Sequence, residues 1–452
     1  MSPTSHPAGI PGQAAQEIAA KLAQLIACRT VSRPDRDDED REEFTKHARL
    51  LTELFGHIAG AVERHTLGIT GQLWHWRGAE SSRPVVLMAH QDVVPVESEG
   101  DWEHPPFAGV VAQGRIHGRG TMDDKGDLAC ILQAADDLAA SGFAPGQDVY
   151  FFFGDCEEIS GPTAMEAVDF LTAAGVRPWM VLDEGGAVAS QAFPGIDAPA
   201  GVIGVSEKGI LDLLLEAEDA GGHASAPPRF GAVQRIARAV GRLQAKPFPA
   251  ALHPVTQETF RRLAATAPGI TGTLLKLASR PGRLAGEVLA RAGAEPAAMV
   301  RTTVAATRLE GSDGINVLAR RAAVGLNIRI NVTESVESVI AGVRRRVRDS
   351  KIAFTVLGAT EPSPISPTDS DGFALLESAL GHSHPEARPV PYIMMAATDA
   401  RRFTGICEQV YRFAPLGMDK ARRGAIHGTD ESVEVAELGK AVRFYTFLLR
   451  AL

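Results

Sequence analysis

Three short apolar runs, each ending in side chains that can bind a proton or a metal, constrain this chain more than any other feature. Residues 85–89 lead into His90-Gln91-Asp92. Residues 149–153 lead into Gly154-Asp155-Cys156-Glu157-Glu158, and residues 179–182 lead into Asp183-Glu184-Gly185-Gly186. Continuous apolar runs of this length suit strands buried on both faces of a sheet. Helical periodicity appears at 14–25, 41–58, 126–140 and 163–174, and 72–76 reads as a further strand. That alternation predicts a doubly wound, mainly parallel α/β sheet. Parallel strands place their carboxyl ends on one side, where open α/β sheets bind ligands. Side chains alternate along a strand, so His90 and Asp92 point one way and Gln91 the other.

The texture changes near Ser206. Residues 210–218 alternate as a half-exposed strand, 232–243 form an amphipathic helix, and 300–307 and 321–330 read as strands. A helix at 334–347 and a strand at 351–357 follow. This β-α-β-β-α-β order predicts a ferredoxin-like α+β lid or dimerisation domain. It is interrupted by a long helical insert at about 246–297. Residues 361–371, rich in Pro and Ser, read as a linker, after which the first texture returns. The expected division is therefore 1–205 with 359–452 as the catalytic domain and 206–358 as a domain inserted into it, with hinges near Ser206 and 357–363.

A chain of 452 residues suits two domains. Its formal net charge of −9 argues against a nucleic-acid partner. Cys28, Cys130, Cys156 and Cys407 show no C-x-x-C spacing and read as buried or free thiols of a reducing compartment. The start, Met1 to His6, lacks a basic segment followed by an apolar core, and no stretch approaches the roughly 18 apolar residues that span a bilayer. The expectation is a cytoplasmic protein without a membrane partner.

Gly118-Arg119-Gly120-Thr121-Met122-Asp123-Asp124-Lys125-Gly126 lies between a strand and a helix, where its glycines suit a tight turn and its Asp residues a helix cap. Adjacent carboxylates differ in direction, so one of Glu157 and Glu158 can ligate while the other faces a reacting water. Asp183-Glu184 repeats the theme, and His427 precedes a last helix expected to begin near Glu431. His382-Ser383-His384-Pro385 has an H-x-H look but is expected in a loop, not at a strand end. Cys156 has no neighbouring His for thiolate catalysis, and Ser206 lacks the G-x-S-x-G elbow.

Together these residues resemble the M20 family of metallopeptidases: His-x-Asp, Gly-Arg-Gly-x-x-Asp-x-Lys-Gly, Glu-Glu, an acidic residue and a late His, in that order. Residues 90–95, 100–107, 118–126 and 181–186 look most like its carboxypeptidase S branch. The resemblance implies a dinuclear zinc site, with cobalt or manganese as possible substitutes. Asp123 would bridge the metals, His90 and Glu184 would complete one site, and Glu158 and His427 the other. Asp183 and Glu184 are the least separable pair. Glu157 would be the general base and Asp92 would hold the His90 ring. The Asp123–Asp124 peptide would be cis. His223, in Gly221-Gly222-His223-Ala224-Ser225, would stabilise the carbonyl oxygen, reaching across a homodimer in family members. Asn316 and Arg329 of the inserted domain, with Thr398 and Arg401 near Asp399, would contact substrate. The expected function is hydrolysis of an amide beside a free α-carboxylate. A carboxypeptidase or dipeptidase is the leading reading and an N-acyl-amino-acid hydrolase (aminoacylase) the alternative. A non-catalytic binding protein fits poorly with an intact Glu157 and a full ligand set.

Overall fold

The computed structural model describes residues 12–192, 196–280 and 283–452. The N-terminal stretch read above for a leader lies outside them.

The three apolar runs are neighbouring parallel strands. Glu80–His90 lies between Gln147–Gly154 and Met180–Asp183 and is parallel to both. They form the middle of a ten-stranded, mixed, mainly parallel sheet. Alternate side chains feed two different cores, as period two requires. Val85, Leu87, Val149 and Phe151 pack with the helices Gln13–Ile26, Lys125–Ala140 and Val435–Arg450. Val86, Met88, Tyr150 and Phe152 pack on the other side against Ala164, Ala167 and Leu171 of the helix Thr163–Ala173. Because the strands are parallel, His90 pairs with Gly154, and the loops carrying Glu157, Glu158 and Glu184 leave the same edge.

A separate four-stranded antiparallel sheet runs in the order Thr303–Glu310, Arg321–Ile330, Gly209–Glu218, Ile352–Thr360. Its helices Ala232–Ala245 and Val336–Val347 bury Ile236, Ala239, Val339 and Val343 against one face. This is the expected β-α-β-β-α-β arrangement. Where the chain crosses between sheets, Ser206 Oγ donates to the Ser363 carbonyl at 2.9 Å, and Ser363 Oγ accepts the Glu207 N–H at 2.8 Å.

The helical insert does not stay with the sheet that it interrupts. Its helix Pro254–Ala264 packs on the strand Arg388–Met394 of the large sheet. Thr259 Oγ1 donates to the Pro391 carbonyl at 2.5 Å, and Leu263 packs with Ile196, Ala200 and Val390.

Three local expectations need correction. The helix expected over 41–58 is two, Arg41–Leu54 and Gly56–Ala61, broken at the buried Phe55. The last helix begins at Val435, because Ser432–Glu434 is instead a strand paired with Arg115–His117. His382 and Ser383 end the helix Asp371–Ser383 rather than lying in a loop, and the buried His384 bonds to Ser383 and Glu437. The four cysteines are free and buried. Among the described residues no helix is long and apolar enough to cross a membrane.

Candidate active site

His90 ends the central strand, and its two ring nitrogens face different partners. Nε2 lies 2.9 Å from Asp123 Oδ1, and Nδ1 lies 2.9 Å from the Asp92 carbonyl oxygen but 3.5 Å from its carboxylate. Asp92 thus holds the ring through its backbone, a modification of the expected contact. Its carboxylate accepts the backbone N–H groups of Glu157 and Glu158, each at 3.1 Å. Gln91 points away, bonding to the Thr70 and Phe153 carbonyls.

The Gly-rich loop brings Asp123 to the same place. The Asp123–Asp124 peptide is cis, as expected, and Gly118 and Gly120 have positive φ. Opposite Asp123, His427 Nε2 lies 3.0 Å from Asp123 Oδ2 and 3.1 Å from Glu158 Oε2. His90, Asp123 and Glu158 can bring one donor atom each within 4.8 Å of one another, a set able to hold a metal ion. Glu184 lines the cavity in front of them, whereas Asp183 Oδ2 accepts the Ala400 N–H at 2.8 Å, outside the cavity lining.

Charge here is out of balance in a way that suits cations. Burial, reinforced by neighbouring carboxylates, raises Glu157 and Glu184 well above the usual carboxylate range. Burial would raise Asp123 too, but the imidazoles of His427 and His90 hold it low. Hydrogen bonds to Asp123 and Glu158 raise His427 to about 10. Glu158 Oε1 is buried without a hydrogen-bond partner among the described residues. An orphaned carboxylate oxygen amid imidazole and carboxylate donors fits hard or borderline divalent ions.

A cavity of about 560 Å³ extends from this cluster. Beyond Asp123, Glu157, Glu158, Glu184 and His427 its wall becomes mainly apolar, with Glu295, Thr398 and Arg423 as exceptions. Ala189, Val202, Met394 and Met418 come from the large sheet, and Pro296 and Met299 from the insert's last helix, Ala294–Val300. Tyr392 stands between them and packs with Phe260 and Met299.

Thr398 lines the cavity, and its Oγ1 donates to Glu207 at 3.1 Å. Arg401 is mostly buried, with Nη1 3.8 Å from Glu207 and Nη2 donating to the Glu361 carbonyl at 2.9 Å. Burial lowers its pKa; Glu207 opposes this, and nearby cations, Arg329 among them, add to the lowering. Neither Arg401 nor Arg329, the two arginines expected to bind the carboxylate, is among the residues that line the cavity. Arg329 Nε meanwhile donates to Asn327 Oδ1 at 3.2 Å. His223 and Asn316 are neighbours, through the Ala224 N–H bonded to the Asn316 carbonyl at 3.1 Å. Both are exposed and neither lines the cavity.

Two residues escaped the sequence reading. Buried Glu431 accepts from Arg119 (2.8 Å) and from the N–H groups of Gly120 (3.1 Å), Met122 (2.8 Å) and Asp123 (3.2 Å), so it shapes the loop that presents Asp123. Its position four residues after His427 was the available signal. Buried Glu207 pairs with Arg412 at 2.7 Å and sits where the chain leaves the large sheet.

Imidazoles and carboxylates gathered at the carboxyl ends of a parallel sheet, beside a ferredoxin-like sheet, define a metal-dependent hydrolase class. The chain belongs to peptidase family M20/M25/M40, whose model matches residues 86–451. It is a hydrolytic enzyme. It is 31% identical over 451 residues to probable carboxypeptidase S-like 2 of Dictyostelium discoideum, covering 96% of this chain and 85% of that protein. It is 33% identical over 445 residues to the Homo sapiens N-fatty-acyl-amino acid synthase/hydrolase PM20D1, covering 96% and 87%. The M20 family metallo-carboxypeptidase Sso-CP2 from Sulfolobus solfataricus shares the fold, with a TM-score of 0.73 at 16% identity over 96% of this chain and 98% of that one.

Proposed function

We propose that the chain hydrolyses N-acyl amino acids carrying a long apolar acyl group, at the amide beside the free α-carboxylate. The cavity carries this reading. Its volume of about 560 Å³ suits a small-molecule site, and beyond the ligand cluster its wall is mainly Ala, Val, Met, Pro and Tyr, with Thr398, Glu295 and Arg423 as the polar exceptions. A dipeptide would place a charged ammonium there, and burying it without a close carboxylate is costly. Of the lining residues on that side only Glu295 is acidic, and it is exposed and faces the cation of Arg423. The relatives named N-fatty-acyl-amino acid synthase/hydrolase support the same reading. Cleavage of peptides from the carboxyl end is the second reading. Arg401 would serve either substrate, and carboxypeptidase S-like relatives favour it.

In this reading His90, Asp123, Glu158, Glu184 and His427 would hold divalent ions, zinc by preference, with cobalt or manganese able to substitute. When bound, such ions polarise a carbonyl and acidify water to a pKa of about 7. Glu157 takes a proton from the attacking water and returns it to the leaving nitrogen as the C–N bond breaks. Asp92 fixes the loop that aims Glu157 and Glu158. Arg401 and Arg329, with Thr398, receive the α-carboxylate, for which a guanidinium offers paired donors. His223, with Asn316 beside it, supplies the oxyanion donor by closure of the smaller sheet or from a second copy of the chain. The exposed Val317, paired with His223, and Ile315, next to Asn316, support a contact between copies there.

The test is kcat/KM for N-acyl amino acids of increasing acyl length against dipeptides with the same carboxyl-terminal residue. The reading expects rates to rise with acyl length and to exceed those of dipeptides. Dipeptides faster than every N-acyl amino acid would reject it in favour of the second reading.

A further inference from the structure

The helix Gly269–Ala278 of the insert is apolar on two opposite sides. One side faces the protein: Gly272 is buried, and Leu275 packs near Leu263 and Ala267 and near Met299 and Phe260. The other side carries Ile270, Leu274 and Leu277, spaced i, i+4, i+7 on one stripe, and they are 79%, 59% and 48% exposed. The next helix, Arg283–Arg291, adds Val288, 59% exposed. Single exposed leucines are ordinary, but a contiguous stripe of large aliphatics marks an interaction surface.

The charge around the stripe says what covers it. Lys276, Arg280 and Arg291 are exposed and form no ion pair within 4 Å among the described residues. Glu287 is the one acidic residue between 259 and 293, and it pairs with Arg301 at 3.0 Å. This local basic character stands against a chain with a net charge of −9. An apolar stripe flanked by Lys and Arg is the pattern of a helix lying in the interface of an anionic lipid layer. A two-fold contact with a second copy would bring the same cations near one another.

Location gives the surface a purpose. The helix Arg283–Arg291 packs on Ala294–Val300, whose Pro296 and Met299 line the cavity. We propose that the exposed face of Gly269–Ala278, with Val288, docks the enzyme on an anionic lipid surface, so that amphiphilic substrate reaches the cavity without crossing bulk water. The purpose rests on the N-acyl reading; the docking itself does not.

The experiment is co-sedimentation of the full chain, without substrate, with vesicles of phosphatidylcholine alone or mixed with phosphatidylglycerol. Binding to the mixed vesicles, weakened by salt, is expected. Leu274→Ser combined with Leu277→Ser should lower the partition coefficient at least about tenfold. Lys276→Glu with Arg280→Glu should remove the preference for anionic vesicles. Both variants should keep wild-type kcat/KM on a short, water-soluble N-acyl amino acid, which shows that they fold. Failure of the wild type to sediment, or equal partition of wild type and the Leu274→Ser/Leu277→Ser variant, overturns the proposal. So does sedimentation velocity in which that variant turns a vesicle-free dimer into a monomer, since a second copy then covers the face. Vesicle binding with no cleavage of any N-acyl amino acid would instead reject the substrate reading and leave the docking standing.

Discussion

The carboxylate of Asp92 accepts the backbone N–H of Glu157 at 3.1 Å, so a residue just beyond the central strand fixes the direction of the proposed base. The same carboxylate accepts from Glu158, and the same residue's carbonyl faces the His90 ring. Asp92→Ala would strand two N–H groups in a buried site, at about 1–3 kcal/mol for each unsatisfied group. Metal affinity should fall about 10–100-fold, the usual effect of losing a residue that orients ligands. Competition with a fluorescent zinc chelator measures this, and unchanged affinity would count against the assignment.

Glu157 and Glu158 are adjacent and both line the cavity, yet only Glu158 is in contact with His427, at 3.1 Å. Glu157→Gln should therefore keep wild-type metal content and lose about 10²–10⁴-fold in kcat, the typical weight of proton transfer. Glu158→Gln should lose metal first. Elemental analysis alongside turnover separates the two roles, and equal metal loss in both variants would refute the division.

Glu437 tests stability away from the site. Burial would raise its carboxyl, but bonds to His384 (3.2 Å) and Lys440 (2.9 Å) bring it down to about 2. A carboxyl depressed in the folded state from an unfolded value of about 4.3 stabilises fully above the latter. That contribution, about 1–2 kcal/mol after solvent screening of the Lys440 side, disappears as pH falls from about 4 to 2. Glu437→Gln should lower the Tm at pH 7, and the gap to wild type should close on acidification. A gap that stays constant with pH would show that the ionic contacts are not its source.

Much of this site was legible because strand geometry is strict. The period of two put His90 and Asp92 together and Gln91 away, and parallel pairing brought Glu157, Glu158 and Glu184 to His90. Glu431 was not legible, because its partners are backbone N–H groups of a loop about three hundred residues earlier, and no periodicity encodes them. Its neighbours Ser432 and Glu434 look like the acidic start of a helix, but pairing with Arg115–His117 overrides that preference. The insert's periodicity showed an apolar face but not its partner. Thr259 and Leu263 settle that face on the large sheet, which is how Met299 reaches the cavity.

The account stands or falls on reading a free α-carboxylate beside the scissile amide. Arg401 is mostly buried, 3.8 Å from Glu207, and its backbone N–H bonds to the carbonyl of Thr398, a residue of the cavity wall. A charged pair formed with the substrate carboxylate in such a desolvated place is worth up to about 2–5 kcal/mol, less what the 3.8 Å contact with Glu207 already supplies. The decisive measurement is kcat/KM for a long-chain N-acyl amino acid and for its carboxyl-terminal amide, with wild type and Arg401→Ala. The account predicts that amidation lowers kcat/KM at least about a hundredfold in wild type and much less in the variant. Equal rates for acid and amide in wild type would contradict it.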